Sequence, residues 1–277
     1  MISLTAFALL PLLATTPGTL DPLPTPLSPP LFPGVRSLLW IGAHPDDEVL
    51  MAPALAKLCR LERLDCHFLV LTRGEAGICL LPGGCLPNLA TVRTLEMQQA
   101  AVLFGAGLTQ WSLPDGGGIP GWDVASGGHS ALVARLTSFL RARAPDLVLT
   151  FDPRHGSTCH GDHRAAAELV LEARSALAPL PAAWLLETRA FVTASPPYVR
   201  YSPAATARAG AFGYPASLDR EGTPGTWSYS TAAARLHRSQ FAAEILRALA
   251  RMSPTERVVY LAPAETALAD DDVDTCP

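Results

Sequence analysis

Ser37-Leu38-Leu39-Trp40-Ile41-Gly42-Ala43-His44-Pro45-Asp46-Asp47-Glu48 is an apolar run that breaks off into a histidine, a proline and three acids. Residues 38–41 have the length and composition of a fully buried strand, closed by Gly42. Pro53 fits the first turn of a following helix, where its missing N–H costs nothing. Residues 44–48 therefore read as a strand-to-helix loop. In open α/β sheets such loops lie outside the carboxyl ends of the strands, where ligands bind. An imidazole and three carboxylates crowded there repel one another and lose solvation unless a cation joins them. On these residues alone the loop is either a metal site or a solvated acidic turn.

A second stretch bears on that choice. Leu147-Val148-Leu149-Thr150-Phe151-Asp152-Pro153 is another apolar run ending in a polar loop, followed by His155 and by His160-Gly161-Asp162-His163. Histidines three apart at a helix start face the same side. Asp162, between them, can orient an imidazole as carboxylates do around bound metals. Two parallel strands would bring both clusters to one sheet edge, which favours a metal site over scattered structural histidines.

The chain between and beyond these runs alternates strand and helix. Strands are predicted at 37–42, 66–72, 108–112, 146–151 and 187–193, and helices at 52–62, 90–104, 129–143, 163–177 and near 230–250. In the second helix Val92, Leu95, Gln99 and Val102 or Leu103 fall on one face, and Gly105 stops it. Alternation of this kind gives right-handed βαβ units. The expected fold is a three-layer, Rossmann-like α/β domain, a parallel sheet with helices on both faces and the site at its C-terminal edge. Residues 194–228, rich in Pro, Ala, Gly and Tyr without a period, read as a long surface excursion of the kind that often faces substrate. There is no internal repeat, and Asp270-Asp271-Asp272 reads as a solvated tail.

The 277 residues, 49% hydrophobic and 17% charged, suffice for one large core. A net charge of −4 gives no electrostatic footprint for nucleic acid. Residues 4–14 are a short apolar run interrupted by Pro11, too short to span a membrane and followed by small residues. They fit a secretory signal over 1–16, though the usual preceding basic residues are absent. Residues 17–35 then form a proline-stiffened linker, and 36–277 the folded domain. Export leaves no stable membrane anchor after signal removal and makes the protein secreted or extracytoplasmic; a cytoplasmic enzyme with reduced cysteines is the alternative. All six cysteines (Cys59, Cys66, Cys79, Cys85, Cys159, Cys276) follow the signal, an even number that fits disulfides in an oxidising compartment. Cys79 and Cys85 bracket a Pro-Gly-Gly turn and are the pair most readily closed. No C-x-x-C stands in the chain, against a cysteine zinc site.

Ala43-His44-Pro45-Asp46-Asp47-Glu48 together with His160-Gly161-Asp162-His163 resembles the zinc-dependent de-N-acetylases of the PIG-L or LmbE-like family, which act on N-acetylglucosaminyl conjugates. Thr72-Arg73-Gly74-Glu75, Arg93-Thr94-Leu95-Glu96, Leu113-Pro114-Asp115-Gly116 and His237-Arg238-Ser239-Gln240 are similar to further family segments. The likeness covers residues 36–170, with weaker segments up to 245. It implies a hydrolase of linear amide C–N bonds with one Zn2+ held by His44, Asp47 and His163. Asp46 would be the general base, and a protonated His160, supported by Asp162, would stabilise the oxyanion. Two imidazoles and one carboxylate leave a coordination position open, the pattern of catalytic zinc. The implied substrate is a small amino sugar or its conjugate, yielding acetate and a free amine. Arg73 and Asp115 resemble residues that contact the polar head of the substrate. Trp122 is a candidate stacking platform for the sugar or a loop anchor, His237 either lines the pocket or caps its helix, and Arg93 and Glu96 could pair on a helix surface. Gly161 stands where the family usually has proline, and neither the Cys79–Cys85 insertion nor the Pro-rich leader is general, which leaves the aglycone open.

Two other classes use similar residues. Two histidines and a carboxylate also hold iron(II) in oxygenases, but those need a co-substrate for which no binder is recognisable. A secreted glycan-binding module with a decayed site is the third reading; the intact Asp46, Asp47, His160 and His163 argue against it.

Overall fold

The computed structural model describes residues 29–154, 156–178, 182–187, 212–215, 225–251 and 258–264. The signal at 1–16, residues 17–28 of the linker, His155, most of the 194–228 excursion, Cys276 and the acidic tail lie outside the described residues.

Five parallel strands carry the fold: β1 (Ser37–Gly42), β2 (Asp65–Thr72), β3 (Gly107–Leu113), β4 (Leu147–Phe151) and β5 (Ala182–Glu187). Two antiparallel strands, β6 (Phe212–Pro215) and β7 (Val258–Pro263), complete a sheet of order β3-β2-β1-β4-β5-β7-β6. The winding direction reverses between β1 and β4. In doubly wound sheets that crevice is where ligands bind, and both motif loops leave the sheet there.

β1 is buried on both faces, as a central parallel strand must be. Leu38 and Trp40 join one apolar cluster with helices α1 (Glu48–Leu55), α2 (Leu89–Phe104), α6 (Thr226–Leu236) and α7 (Ala243–Arg251). Leu39 and Ile41 join the opposite one with α3 (Gly118–Ser126), α4 (His129–Arg143) and α5 (Gly161–Ser175). Trp40 meets Phe151 of β4 edge-on, with ring centroids 5.3 Å apart.

Four expectations need correction. The first helix begins at Glu48, not 52, because the carbonyls of Asp46 and Asp47 accept the N–H groups of Val49 and Leu50 at 3.0 and 3.2 Å. Pro53 therefore lies inside α1, which runs on into a π-helical turn at Ala56–Leu61. The inward face of α2 is Arg93, Glu96, Met97, Ala100 and Phe104, whereas Leu95 and Val102 are 52% and 76% exposed. Gly105 does end that helix, at φ 68°. The stretch after β3 that carries Trp122 is helical from Gly118, not a loop; β5 ends at Glu187, and residues 188–193 of the predicted 187–193 strand lie outside the described residues. The 194–228 stretch contains β6 and the start of α6.

Cys59–Cys66 and Cys79–Cys85 are disulfides with Cα separations of 5.7 and 6.0 Å, and Cys159 is disulfide-bonded as well. Among the described residues no helix is long and apolar enough to cross a membrane.

Candidate active site

Past Gly42 the chain stays against β2, the Ala43 carbonyl accepting the N–H of Thr72 at 2.8 Å, and then turns. The Asp47 carboxylate closes that turn. Its Oδ2 accepts the backbone N–H groups of Ala43 and His44, each at 2.7 Å. Its Oδ1 lies 3.0 Å from His163 Nε2 and 3.7 Å from His44 Nδ1, and those two nitrogens are 3.2 Å apart. Tetrahedral zinc with bonds near 2.0–2.1 Å separates its donors by about 3.3 Å. The three atoms therefore fit one small cation, and the two imidazoles suit zinc in kind.

The outer nitrogens are fixed too. His163 Nδ1–H donates to the Gly156 carbonyl at 2.8 Å, which leaves Nε2 as the donor toward a metal. Gly156 has φ +55°, and a Cβ there would come within 2.7 Å of His163 Cβ, so only glycine lets the loop after β4 approach the ring. His163 also stacks flat on Phe151, centroids 4.2 Å apart. His44 Nε2 faces Asp115 Oδ1 at 3.0 Å and Asp162 Oδ2 at 3.2 Å. His44, Asp115 and Asp162 thus form a second cluster of possible ligands. Its carboxylates are already engaged, Asp162 by the N–H groups of Gly116 and Gly118 at 2.7 and 2.8 Å, and Asp115 by that of Ala76 at 2.8 Å. They hold the ring, while the Asp47–His163 side keeps free donor atoms.

Charge follows this geometry. Burial works against a charged His44, but Asp115, Asp162 and Asp47 outweigh it and raise the ring well above its ordinary value. Burial pushes Asp47 upward, yet His163 and His44 hold it well below the carboxylate range. Such a basic, anionic pocket attracts a cation.

Asp46 points elsewhere. Its φ of +107° is a strained conformation for a residue with a Cβ, costing about 1–3 kcal/mol. Arg93, buried on α2, donates to Asp46 Oδ1 at 3.0 Å, to the Gly74 carbonyl at 2.9 Å and to the Pro45 carbonyl. Burial drives the Asp46 carboxyl up to about 6; Arg93 opposes the shift and Asp47 adds to it. That is an ionised carboxylate at neutral pH with real proton affinity, as a general base requires.

His160 caps α5, its Nδ1 accepting the Asp162 N–H at 3.2 Å, and its ring stands edge-on to His44 with centroids 4.7 Å apart. Burial, then the neighbouring His44 and His163, lowers its pKa, and with Nδ1 accepting from the backbone it is Nε2 that is left to donate. Asp162 supports His44 through its side chain, while its hydrogen bond to His160 comes from its backbone N–H.

Among the outer candidates, Arg73 Nε donates to Thr94 Oγ1 at 3.2 Å. Asp115 is in the site, facing His44. Trp122 is fully buried in α3, its indole N–H on the Pro114 carbonyl at 2.9 Å, so it has no face for a sugar and serves as an anchor. His237 follows the last residue of α6 and is 0% exposed, which removes it from the pocket lining. Arg93 and Glu96 do not pair: Arg93 serves the Asp46 loop, and Glu96 accepts from Ser239 N–H and Oγ.

The α/β sheet thus gathers His44, His163 and Asp47 at its switch point, with Asp46 in the same loop. Residues 39–174 match the family model described as PIG-L: GlcNAc-PI de-N-acetylase. The 1D-myo-inositol 2-acetamido-2-deoxy-alpha-D-glucopyranoside deacetylase of Rhodococcus opacus (strain B4) is 30% identical over 155 residues, 50% of this chain and 53% of that protein. The chain spans about half the length of the curated relatives it matches. Among solved structures, the N,N'-diacetylchitobiose deacetylase from Pyrococcus horikoshii superposes with a TM-score of 0.53 at 21% identity, over 77% of this chain and 74% of that one. GalB, the 4-carboxy-2-hydroxymuconate hydratase from Pseudomonas putida KT2440, gives 0.55 at 18% identity, over 82% and 95%. A hydratase on the same fold means the architecture alone does not name the reaction.

Proposed function

We propose that the chain is a zinc-dependent N-deacetylase acting on an N-acetylglucosamine-type amino sugar or conjugate, releasing acetate and a free amine. The observation that carries this is the convergence of His44 Nδ1, His163 Nε2 and Asp47 Oδ1 within 3.7 Å of one another, with Asp46 beside them and raised to about 6. His44, Asp47 and His163 would hold the ion, which when bound supplies an acidified water and a Lewis acid for the amide carbonyl. Asp46 takes the proton of the attacking water and returns it to the departing amine, a share of about 10²–10⁴ in rate. His160 Nε2–H donates to the developing oxyanion, a contribution of about 10²–10³. Asp162 and Asp115 keep the His44 ring from turning.

The PIG-L match and the amino-sugar names of the relatives support this substrate class. The disulfides Cys59–Cys66 and Cys79–Cys85 support export to an oxidising compartment. The test is metal analysis of the purified protein with acetate release from N-acetylglucosamine conjugates of varied aglycone. Zinc-dependent acetate release is expected; a protein that holds zinc, leaves every acetylated amino sugar intact and hydrates an enol acid would overturn the reading.

A further inference from the structure

Glu48 and His237 form a buried pair that the chemistry above does not use. Glu48 is 1% exposed and His237 0%. Glu48 Oε1 meets His237 Nε2 at 2.6 Å, across 189 residues of chain. Glu48 Oε2 accepts the backbone N–H of Asp46 at 3.2 Å. The backbone that carries the imidazole is held from behind, while the ring's buried Nδ1 makes no hydrogen bond among the described residues. His237 ends α6, and the turn that follows is fixed to α2 where Ser239 donates N–H and Oγ to Glu96 at 2.8 and 2.6 Å. The same turn meets the loop after β2, the Ser239 carbonyl accepting the N–H of Leu80 at 2.9 Å.

We infer that Glu48, backed by His237, is a positioning residue for the catalytic base. This rests on the reading of Asp46 as that base. A buried carboxylate–imidazole pair is a poor way to gain stability, since desolvation cancels most of the attraction. Glu48 is also the first residue of α1, where the helix terminus and solvent would satisfy a carboxylate without a partner. Its two oxygens instead bridge the buried His237 imidazole and the one peptide in the loop that carries a positive-φ aspartate. The direction of the Asp46 side chain follows from that φ. A carboxylate anchored by His237 on one oxygen and holding the Asp46 N–H on the other keeps the peptide from relaxing. Arg93 fixes the far end of the same side chain at Oδ1.

Two mild variants separate position from charge. Glu48→Gln removes the charge but keeps an oxygen at the same reach for the Asp46 N–H. Glu48→Asp keeps the charge but withdraws the carboxylate by one methylene. Glu48→Asp should retain zinc and KM and lose about 10²-fold in kcat, the scale of a misplacement near 1 Å. Glu48→Gln should stay within a few-fold of the parent, as a conservative rescue does. Amide exchange in the metal-free protein reads the same contact without activity: the Asp46 N–H should exchange faster in Glu48→Asp and at the parent rate in Glu48→Gln. The reverse order in either readout, or equal behaviour of the two variants, overturns the inference. If the parent protein releases no acetate, the proposed function fails, and amide exchange alone decides the positioning role.

Discussion

Asp46 and Asp47 are neighbours held by different partners, so substitution separates them. Asp47→Asn removes an anionic ligand and should lower zinc content. Asp46→Asn leaves the donor atoms untouched and should keep the ion, with kcat down about 10²–10⁴ and KM near its parent value. Exchanged outcomes in zinc content would exchange the roles. Their titrations also run in opposite directions. Asp46, raised to about 6, binds its proton more tightly folded than unfolded, so its contribution to stability is present at low pH and lost as pH rises through about 6. Asp47, held well below its ordinary value, contributes above the unfolded carboxylate range and loses that contribution as pH falls. Carbon-detected NMR of the metal-free protein should place the Asp46 midpoint near 6, moving down when zinc is added, because a nearby cation favours the carboxylate. An ordinary midpoint would show that burial does not act as described. The clusters at residues 44–48 and 160–163 were legible because each is local to one loop, whereas the choice of His44, Asp47 and His163 as ligands within them came from the family resemblance. The partners of Asp115 and Glu48 were illegible, since each contact spans a large part of the chain.

The loops between elements carry the precision of the site. Gly156→Ala puts a methyl against His163 Cβ and strains a positive φ, so it should weaken zinc binding and lower thermal stability together. Zinc affinity equal to the parent's would show that the ring is not confined by that loop. In β1, Trp40 is fully buried and its indole N–H makes no hydrogen bond. Trp40→Ala should then cost about 3–5 kcal/mol in denaturant unfolding, and Trp40→Phe, which keeps most apolar contact, distinctly less. The elements most easily read from sequence are the fully apolar ones, β1 and β4. The face of α2 misled for a physical reason: Arg93 and Glu96 point inward to serve the site, so the apolar period singles out Leu95 and Val102 on the exposed side. α3 hid behind glycines and a proline that normally mark a loop.

Across the whole molecule, the sheet order explains why two distant motifs meet, and alternating elements were enough to expect it. The antiparallel pair β6 and β7 was not readable, lying among stretches without a period. The disulfides Cys59–Cys66 and Cys79–Cys85 fasten the same architecture. Cys59–Cys66 closes a separation of 7 residues between the π-helical turn and β2, and replacing both cysteines with serine should cost about 2–3 kcal/mol in unfolding. Cys79 and Cys85 in protein from its own source should resist alkylation until a reductant is added; immediate labelling of both would remove the support for export.

His237 reaches Glu48 from the far side of the chain, whereas among the described residues every candidate metal ligand lies between residues 44 and 163. Capturing the ion and aiming the base are therefore separable under mutation. A descendant that altered only its last third could keep a fully loaded metal centre and still fall silent as a catalyst. Metal content and turnover would then report on different parts of the polypeptide, and a relative that binds zinc without reacting is the intermediate from which a new chemistry on this sheet could start.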